Sequence, residues 1–159
     1  MRTTPVRVRS EATTALVVGN THTCALAEDG AVWCWGENVY GVAMSTEADR
    51  RWTPERVADL DAVALYGGFG TWFARRRDGA LVGWGQNDHG QLGVAGRPTH
   101  PVEVLPALAS RVATIVAGET HACALLTDQT LRCWGGNSLG QLGTGAVGPD
   151  ARDPAPLAW

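Results

Sequence analysis

The residues best equipped for chemistry are four cysteines in two pairs, each pair led by a histidine: His22-Thr23-Cys24 with Cys34, and His121-Ala122-Cys123 with Cys133. Such sets close disulfides, pack as buried thiols or bind zinc. Cys24 and Cys34 lie symmetrically about Asp29, and Cys123 and Cys133 about Asp128. In a hairpin centred on that aspartate the two cysteines face each other, and their even separation puts both on one face. A non-hydrogen-bonded pair at that register suits a cross-strand disulfide. The spacing therefore predicts Cys24–Cys34 and Cys123–Cys133 bonds, with buried free thiols as the alternative. Each closed loop contributes about 2–3 kcal/mol by chain entropy. For zinc, each set offers three ligands where a structural site takes four, and one distant cysteine after His-x-Cys is not a usual knuckle spacing.

These pairs belong to a pattern that runs three times. Trp35, Trp84 and Trp134 are 49 and 50 residues apart, and Gly41, Gly90 and Gly140 keep that spacing. Pro5, Pro54 and Pro101 open units of about 5–53, 54–100 and 101–153, and Pro154 starts a fourth at 154–159. A period of this length marks an array of one supersecondary unit, here a single repeat domain over 1–159. In the third unit Val112 to Ala117 is a β-branched run ended by Gly118. His121 to Leu126 and Leu131 to Trp134 flank a turn at Asp128-Gln129, where the other copies have Asp29-Gly30 and Asp78-Gly79. Asp-Gly between β-prone runs is a strong hairpin signal. Val102-Glu103-Val104 reads as a further strand, Asn137 to Gly143 as a structured loop, and helical periodicity is absent. Four short strands per unit predict an all-β fold of propeller blades, each needing a neighbour on both faces.

The middle copy tests the cysteine pairing. It has Phe73 and Gly83 at the two positions, so both cysteines are missing together, and an aromatic opposite a glycine fills such a site. Thr71 stands where the other copies have His22 and His121. Histidine or threonine can each hydrogen-bond a neighbouring blade's backbone, whereas threonine cannot replace a general base. The repeated carboxylates Asp29, Asp78 and Asp128 sit in turns, where aspartate bonds its own backbone. No acid pair, nucleophile elbow or phosphate loop stands out, and the expectation is no enzyme and no cofactor. Arg75-Arg76-Arg77 falls where a strand's apolar middle is expected, and reads as a solvated edge or a contact for an acidic partner. Trp33, Trp52 and Trp72 are not repeated, which makes them better surface candidates than the repeated three, although ordinary burial is the expectation for them too.

An apolar fraction of 45% with 18% charged residues is that of a folded chain, and a net charge of −3 gives no electrostatic case for nucleic acid or a membrane surface. No window approaches the roughly 18 apolar residues of a membrane span. The N-terminus does not read as a signal peptide, which suits a cytoplasmic protein or a truncated start, whereas paired cysteines suit an exported or cell-surface one.

Gly118-x-x-His121-x-Cys123-Ala124-Leu125, Asp128, and Cys133-Trp134-Gly135-x-Asn137-x-x-Gly140-Gln141-Leu142-Gly143 together resemble a repeat of the regulator of chromosome condensation (RCC1) family. Trp84-Gly85-Gln86-Asn87 through Gly90-Gln91-Leu92-Gly93 carries the same signature. So does Trp35-Gly36-Glu37-Asn38 through Gly41, with Val42-Ala43 in place of Gln-Leu. The cysteine-bearing version resembles the bacterial branch. The resemblance implies a seven-bladed β-propeller, of which three four-stranded blades would form an incomplete, open part. It implies a non-catalytic protein-binding module, with an exchange factor for a small GTPase or a secreted β-lactamase inhibitor as alternatives. The expected partners are a protein or further blades, supplied by a longer parent chain or by self-assembly. Recognition is expected on the least repeated segments, Val39 to Arg51, Val94 to Thr99 and Thr144 to Arg152.

Overall fold

Each repeated aspartate builds the turn of a hairpin. Asp29 Oδ1 accepts from the Ala31 amide at 3.0 Å, Asp78 Oδ1 from Ala80 at 3.0 Å and Asp128 Oδ1 from Thr130 at 3.1 Å. The next residue enters the left-handed region, at φ 89° for Gly30, 89° for Gly79 and 68° for Gln129. The computed structural model describes residues 4, 7, 8, 12–38, 50–98 and 100–156, with side chains except at 50, 51, 155 and 156. Pro5, Gly41, residues 39–49 of the first expected recognition segment and residues 157–159 lie outside the described residues.

In chain order, β1 (Thr13–Val18), β2 (His22–Ala27), β3 (Ala31–Glu37) and the first part of β4 (Arg50–Gly68) pair antiparallel as one group. The rest of β4 pairs with β5 (Thr71–Arg76), which pairs with β6 (Leu81–Gly85), which pairs with β7 (Val102–Glu103). After a 3-10 turn at Ala109–Arg111 come β8 (Val112–Ala117), β9 (His121–Leu126), β10 (Leu131–Gly135) and β11 (Ala151–Pro156), again antiparallel. The described residues contain no α-helix, and the sheet runs from β1 to β11 without closing. The predicted strands of the third unit and the strand at Val102 are found where the β-branched runs and turn residues place them.

The long β4 passes from one group to the next. Ala31 of β3 pairs with Asp61, and the next residue, Ala62, pairs with Arg76 of β5. The crossing is held by the Ala62 amide on the Gly30 carbonyl at 2.9 Å and by Arg77, whose guanidinium meets both Asp61 carboxylate oxygens at 3.0 and 3.1 Å. The β-prone stretch after each described opening proline pairs with the preceding hairpin: Arg56 with Trp33, Val102 with Gly83, and Ala155 with Cys133. Sequence period and strand pairing are thus out of phase by one strand.

The core lies between the groups. Strand alternation sends Trp72 to one face of β5 and Phe73 to the other. Trp72, Ala74 and Trp84 pack against Cys24, Leu26, Val32 and Cys34 of the first group. Phe73, Leu81 and Leu92 pack against Ile115, Ala124, Leu126 and Trp134 of the third. Each group therefore has a backward face, carrying the repeated tryptophan, and a forward face, carrying the cysteines or their replacements.

Candidate functional site

The two cysteine pairs occupy directly opposed positions, Cys24 with Cys34 and Cys123 with Cys133. Their sulfurs lie 2.05 and 2.07 Å apart, as disulfides. Phe73 stands opposite Gly83, where a Cβ would come within 2.9 Å of Leu92 Cδ2. All three pairs face forward. The forward face thus takes either a disulfide or an aromatic over glycine, and in the second group it is the aromatic that reaches the Trp134 ring, edge to face at 6.1 Å.

His22 is buried on the first forward face, with its ring 5.3 Å from that of Trp72 in the next group. Burial holds its imidazole below the ordinary histidine range, against the opposing pull of the neighbouring Phe69 carbonyl and the Glu37 carboxylate. Its Nε2 lies buried beside that carbonyl without a well-formed hydrogen bond. Thr71 is fully buried and bonds its own group instead, donating to the Gln86 carbonyl at 2.9 Å. His121 is half-buried, and desolvation lowers its pKa as well.

The loops after Trp84-Gly85 and Trp134-Gly135 are each organised by an asparagine whose role the sequence pattern marked without explaining. Asn87 Oδ1 accepts from the Leu92 amide at 2.8 Å, and Nδ2 donates to the Val94 carbonyl at 2.8 Å and to that of Gly96. Asn137 repeats this with Leu142 at 3.2 Å and Ala146 at 3.1 Å. Asn38 is likewise buried. An amide offers the acceptor and the donors that close such a loop from within.

That loop then grips the next group. Gln91 Oε1 accepts from the His89 amide at 2.9 Å, while its Nε2 donates across the boundary to the Glu119 carbonyl at 3.1 Å. The Gln91 carbonyl in turn accepts from Trp134 Nε1 at 2.6 Å. His89 meets Asp150 at 2.9 Å, so part of the Thr144 to Arg152 segment serves contact between groups. In the third copy Gln141 Oε1 keeps the equivalent bond, from the Leu139 amide at 2.9 Å, but its Nε2 turns to Thr120 Oγ1 of its own group at 3.1 Å.

Position by position, burial follows the presence of a neighbour. Leu16, Leu65 and Ile115 share one phase on the backward face, and their exposures are 59%, 6% and 2%. Trp84 and Trp134 are fully buried, but Trp35 is only half-buried. On the forward face Cys24 and Phe73 are fully buried and Cys123 is half-buried, while Leu26 at 3% corresponds to Leu125 at 38%. Val116, beside Cys123, is 62% exposed. A Cβ at Gly19 would overlap the Phe69 carbonyl and one at Gly68 the Ala117 carbonyl, so these glycines permit close approach of neighbouring strands. At Gly118 the nearest atoms belong to its own His121.

The structure-motif residues therefore divide. Trp84, Gly85, Asn87, Trp134, Gly135 and Asn137 work inside or between groups, as do Gly36, packed on the Thr21 carbonyl of its own hairpin, and buried Asn38, while Trp35 lies on an end of the array. Gly36, Gly85 and Gly135 have φ of 107°, 99° and 103°. Trp72 is buried as expected, but Trp52 on β4 is 83% exposed. The arginine run is not a simple solvated edge: Arg75 donates to the Val112 carbonyl of the third group, while Arg76 pairs with Asp78 at 3.4 Å. Among the described residues no group of three His, Cys, Asp or Glu could hold a metal ion. No helix among them is long and apolar enough to cross a membrane.

Comparison with known proteins matches these features. The description "Regulator of chromosome condensation (RCC1) repeat" fits residues 14–42, 78–125 and 112–141. The chain is 34% identical over 125 residues to the E3 ubiquitin-protein ligase HERC2 of Homo sapiens, across 75% of this chain and 3% of that one. It is 34% identical over 135 residues to the ultraviolet-B receptor UVR8 of Arabidopsis thaliana, across 82% of this chain and 31% of that one. Among solved structures, Prp20p of Saccharomyces cerevisiae, studied for its binding to Gsp1p and histones, superposes with a TM-score of 0.62 at 20% identity, over 92% of this chain and 50% of that one. Human WBSCR16 superposes with a TM-score of 0.60 at 17% identity, over 97% and 55%. The chain thus spans under a third of these curated relatives and about half of these structures.

Proposed function

The chain belongs to the regulator of chromosome condensation (RCC1) repeat family, and on that premise we propose that it is a non-catalytic protein-interaction module whose two end faces receive further propeller blades. In this reading its three antiparallel groups are blades, and the units at about 5–53, 54–100 and 101–153 with the start at 154–159 are its repeats. The observation that carries the proposal is the contrast at one repeat phase, where Leu65 and Ile115 are buried and Leu16 is exposed. Apolar side chains that are core wherever a neighbour stands, and solvated where none does, are half of an interface. The non-catalytic reading is supported by the occupation of the repeated carboxylates, each bonded to its own turn. A fold of this type hosts unrelated functions, so the site and not the fold has to carry the assignment.

The test is a photo-crosslinking residue placed at Leu16 or Val116 in the cells that make the protein, with exposed Ala107, outside the expected recognition segments, as the control position. Protein adducts at both faces and none at Ala107 are the expected result. Faces that give no protein adduct overturn the proposal.

A further inference from the structure

We infer that a cleft at the boundary between the first and second groups binds a small zwitterion of the amino-acid class, its ammonium on Asp59 and its carboxylate on Arg76 and His100. The site lies inside the array and is independent of what meets the end faces.

The same boundary occurs again between the second and third groups, and there it is closed. Strand pairing fixes the equivalence. Arg56 lies opposite Trp33 and Glu103 opposite Val82, at one repeat phase, so Ala58 corresponds to Leu105. Arg76, five residues after Thr71, corresponds to Leu126, five after His121. Leu105 and Leu126 are buried in one apolar cluster. At the first boundary their places are taken by short Ala58 and polar Arg76, and a cleft of about 230 Å³ remains.

The backbone shapes this cleft. Opposite the step from Trp33 to Ala31 on β3, β4 runs from Arg56 all the way to Asp61. The extra residues bulge, and Asp59 takes a left-handed φ of 54°. Ala58 and Asp59 both turn outward between buried Val57 and Leu60. Regular alternation would send Asp59 to the same side as Val57, and a bulge is a device that re-aims a side chain. Leu60 and Val82, both buried, give the cleft its apolar lining.

Charge then selects the ligand. Asp59, Arg76 and His100 all line the cleft. None is a repeated residue: Pro106 matches Asp59, Ala27 and Leu126 match Arg76, and Thr53 and Asp153 match His100. The repeat frame therefore does not require them. Among the described residues the Asp59 and His100 side chains have no ion-pair or hydrogen-bond partner, and the Arg76 guanidinium meets only Asp78, at 3.4 Å. A guanidinium carries five donors, enough to hold a second carboxylate. A phosphate would face the Asp59 carboxylate as well, and a simple cation would face Arg76. A molecule with one charge of each sign satisfies both, with a short apolar body over Leu60 and Val82. The volume lies below the roughly 300–1,000 Å³ of drug-sized sites, so the ligand is small.

The experiment is NMR titration of the whole chain with L-leucine, with 4-methylpentanoate, which lacks the amine, and with 3-methylbutylamine, which lacks the carboxylate. Leucine is expected to shift the Asp59, Leu60 and Val82 amides saturably at millimolar concentration. Each half-ligand is expected to bind at least about tenfold more weakly, the effect of one lost charge-assisted hydrogen bond. Asp59→Asn, which keeps a residue tolerant of the left-handed backbone, is expected to weaken leucine about tenfold and leave 4-methylpentanoate unchanged. Arg76→Gln is expected to weaken leucine by a similar factor and leave 3-methylbutylamine unchanged. Both positions are exposed, and matching spectra away from the cleft establish that each variant is folded. The comparison of three ligands on the parent chain stands without the variants. No saturable shift at these amides overturns the inference. So does a half-ligand that binds as tightly as leucine, or a leucine affinity that both variants leave unchanged. Any of these results removes the cleft as a site and leaves the interaction-module reading standing.

Discussion

The indole nitrogen of Trp134 donates to the main-chain carbonyl of Gln91 at 2.6 Å, across the boundary between two groups of strands. Both partners come from repeated motifs, so one bond joins the Trp-Gly of one unit to the Gly-Gln-Leu-Gly of the unit before it. The repeat is thereby specified as a neighbour-to-neighbour device, and a unit alone leaves half of that device unused.

Trp134→Phe removes the donor and leaves a buried carbonyl unpartnered, at a cost of about 1–3 kcal/mol. Trp35→Phe, at the same phase on the solvated face, costs within about 0.5 kcal/mol in dilute solution. Urea unfolding of the two variants against the parent chain measures both. Equal losses would show that the contact across the boundary is not what Trp134 contributes.

Asn87→Asp keeps an acceptor for the Leu92 amide but loses both donations to Val94 and Gly96. The expected loss is about 2 kcal/mol, since buried carbonyls are left unsatisfied. Hydrogen exchange of the amides from 92 to 96 should accelerate locally before the rest of the chain does. Unchanged exchange there would mean the asparagine does not hold the loop.

The two disulfides differ in shelter, not in connectivity. Cys24 and Cys34 are fully buried against the second group, while Cys123 is half-buried on the forward end face. Intact mass should rise by four hydrogens on complete reduction, and peptide mapping under mild reductant should find Cys123 and Cys133 free first. Each bond lost costs about 2–3 kcal/mol through the chain entropy of the unfolded state. Four free thiols without any reductant would contradict the pairing.

His22 makes stability depend on acid. Its folded pKa lies below the ordinary 6.5, because burial penalises the imidazolium. The unfolded chain therefore binds the proton first, and the contribution is fully present above about pH 6.5 and is lost as pH falls toward the folded pKa. His22→Gln should flatten the decline in melting temperature between pH 7 and 5. An identical decline in the variant would place the titration elsewhere.

Much of this was legible because the physics is local. Asp-Gly turns, β-branched runs and the paired loss of both cysteines at Phe73 and Gly83 are each decided within one hairpin, and the structure places them accordingly. The forward and backward assignment was not legible, since it depends on which face of a strand meets which neighbour. Arg75 shows the limit: its charge suggested solvent, yet its guanidinium is spent on the Val112 carbonyl of the next group. Trp52 shows the opposite error, an apolar residue that hydrophobicity alone assigns to the core and that the structure leaves 83% exposed. Asn87 and Gln91 were visible as motif letters, but the bonds they make require the loop to be closed in three dimensions.

The most direct test of the interaction-module reading is photo-crosslinking from the two end faces. The account predicts protein adducts from Leu16 and from Val116, the apolar positions left 59% and 62% exposed. Both faces giving no protein adduct would contradict it.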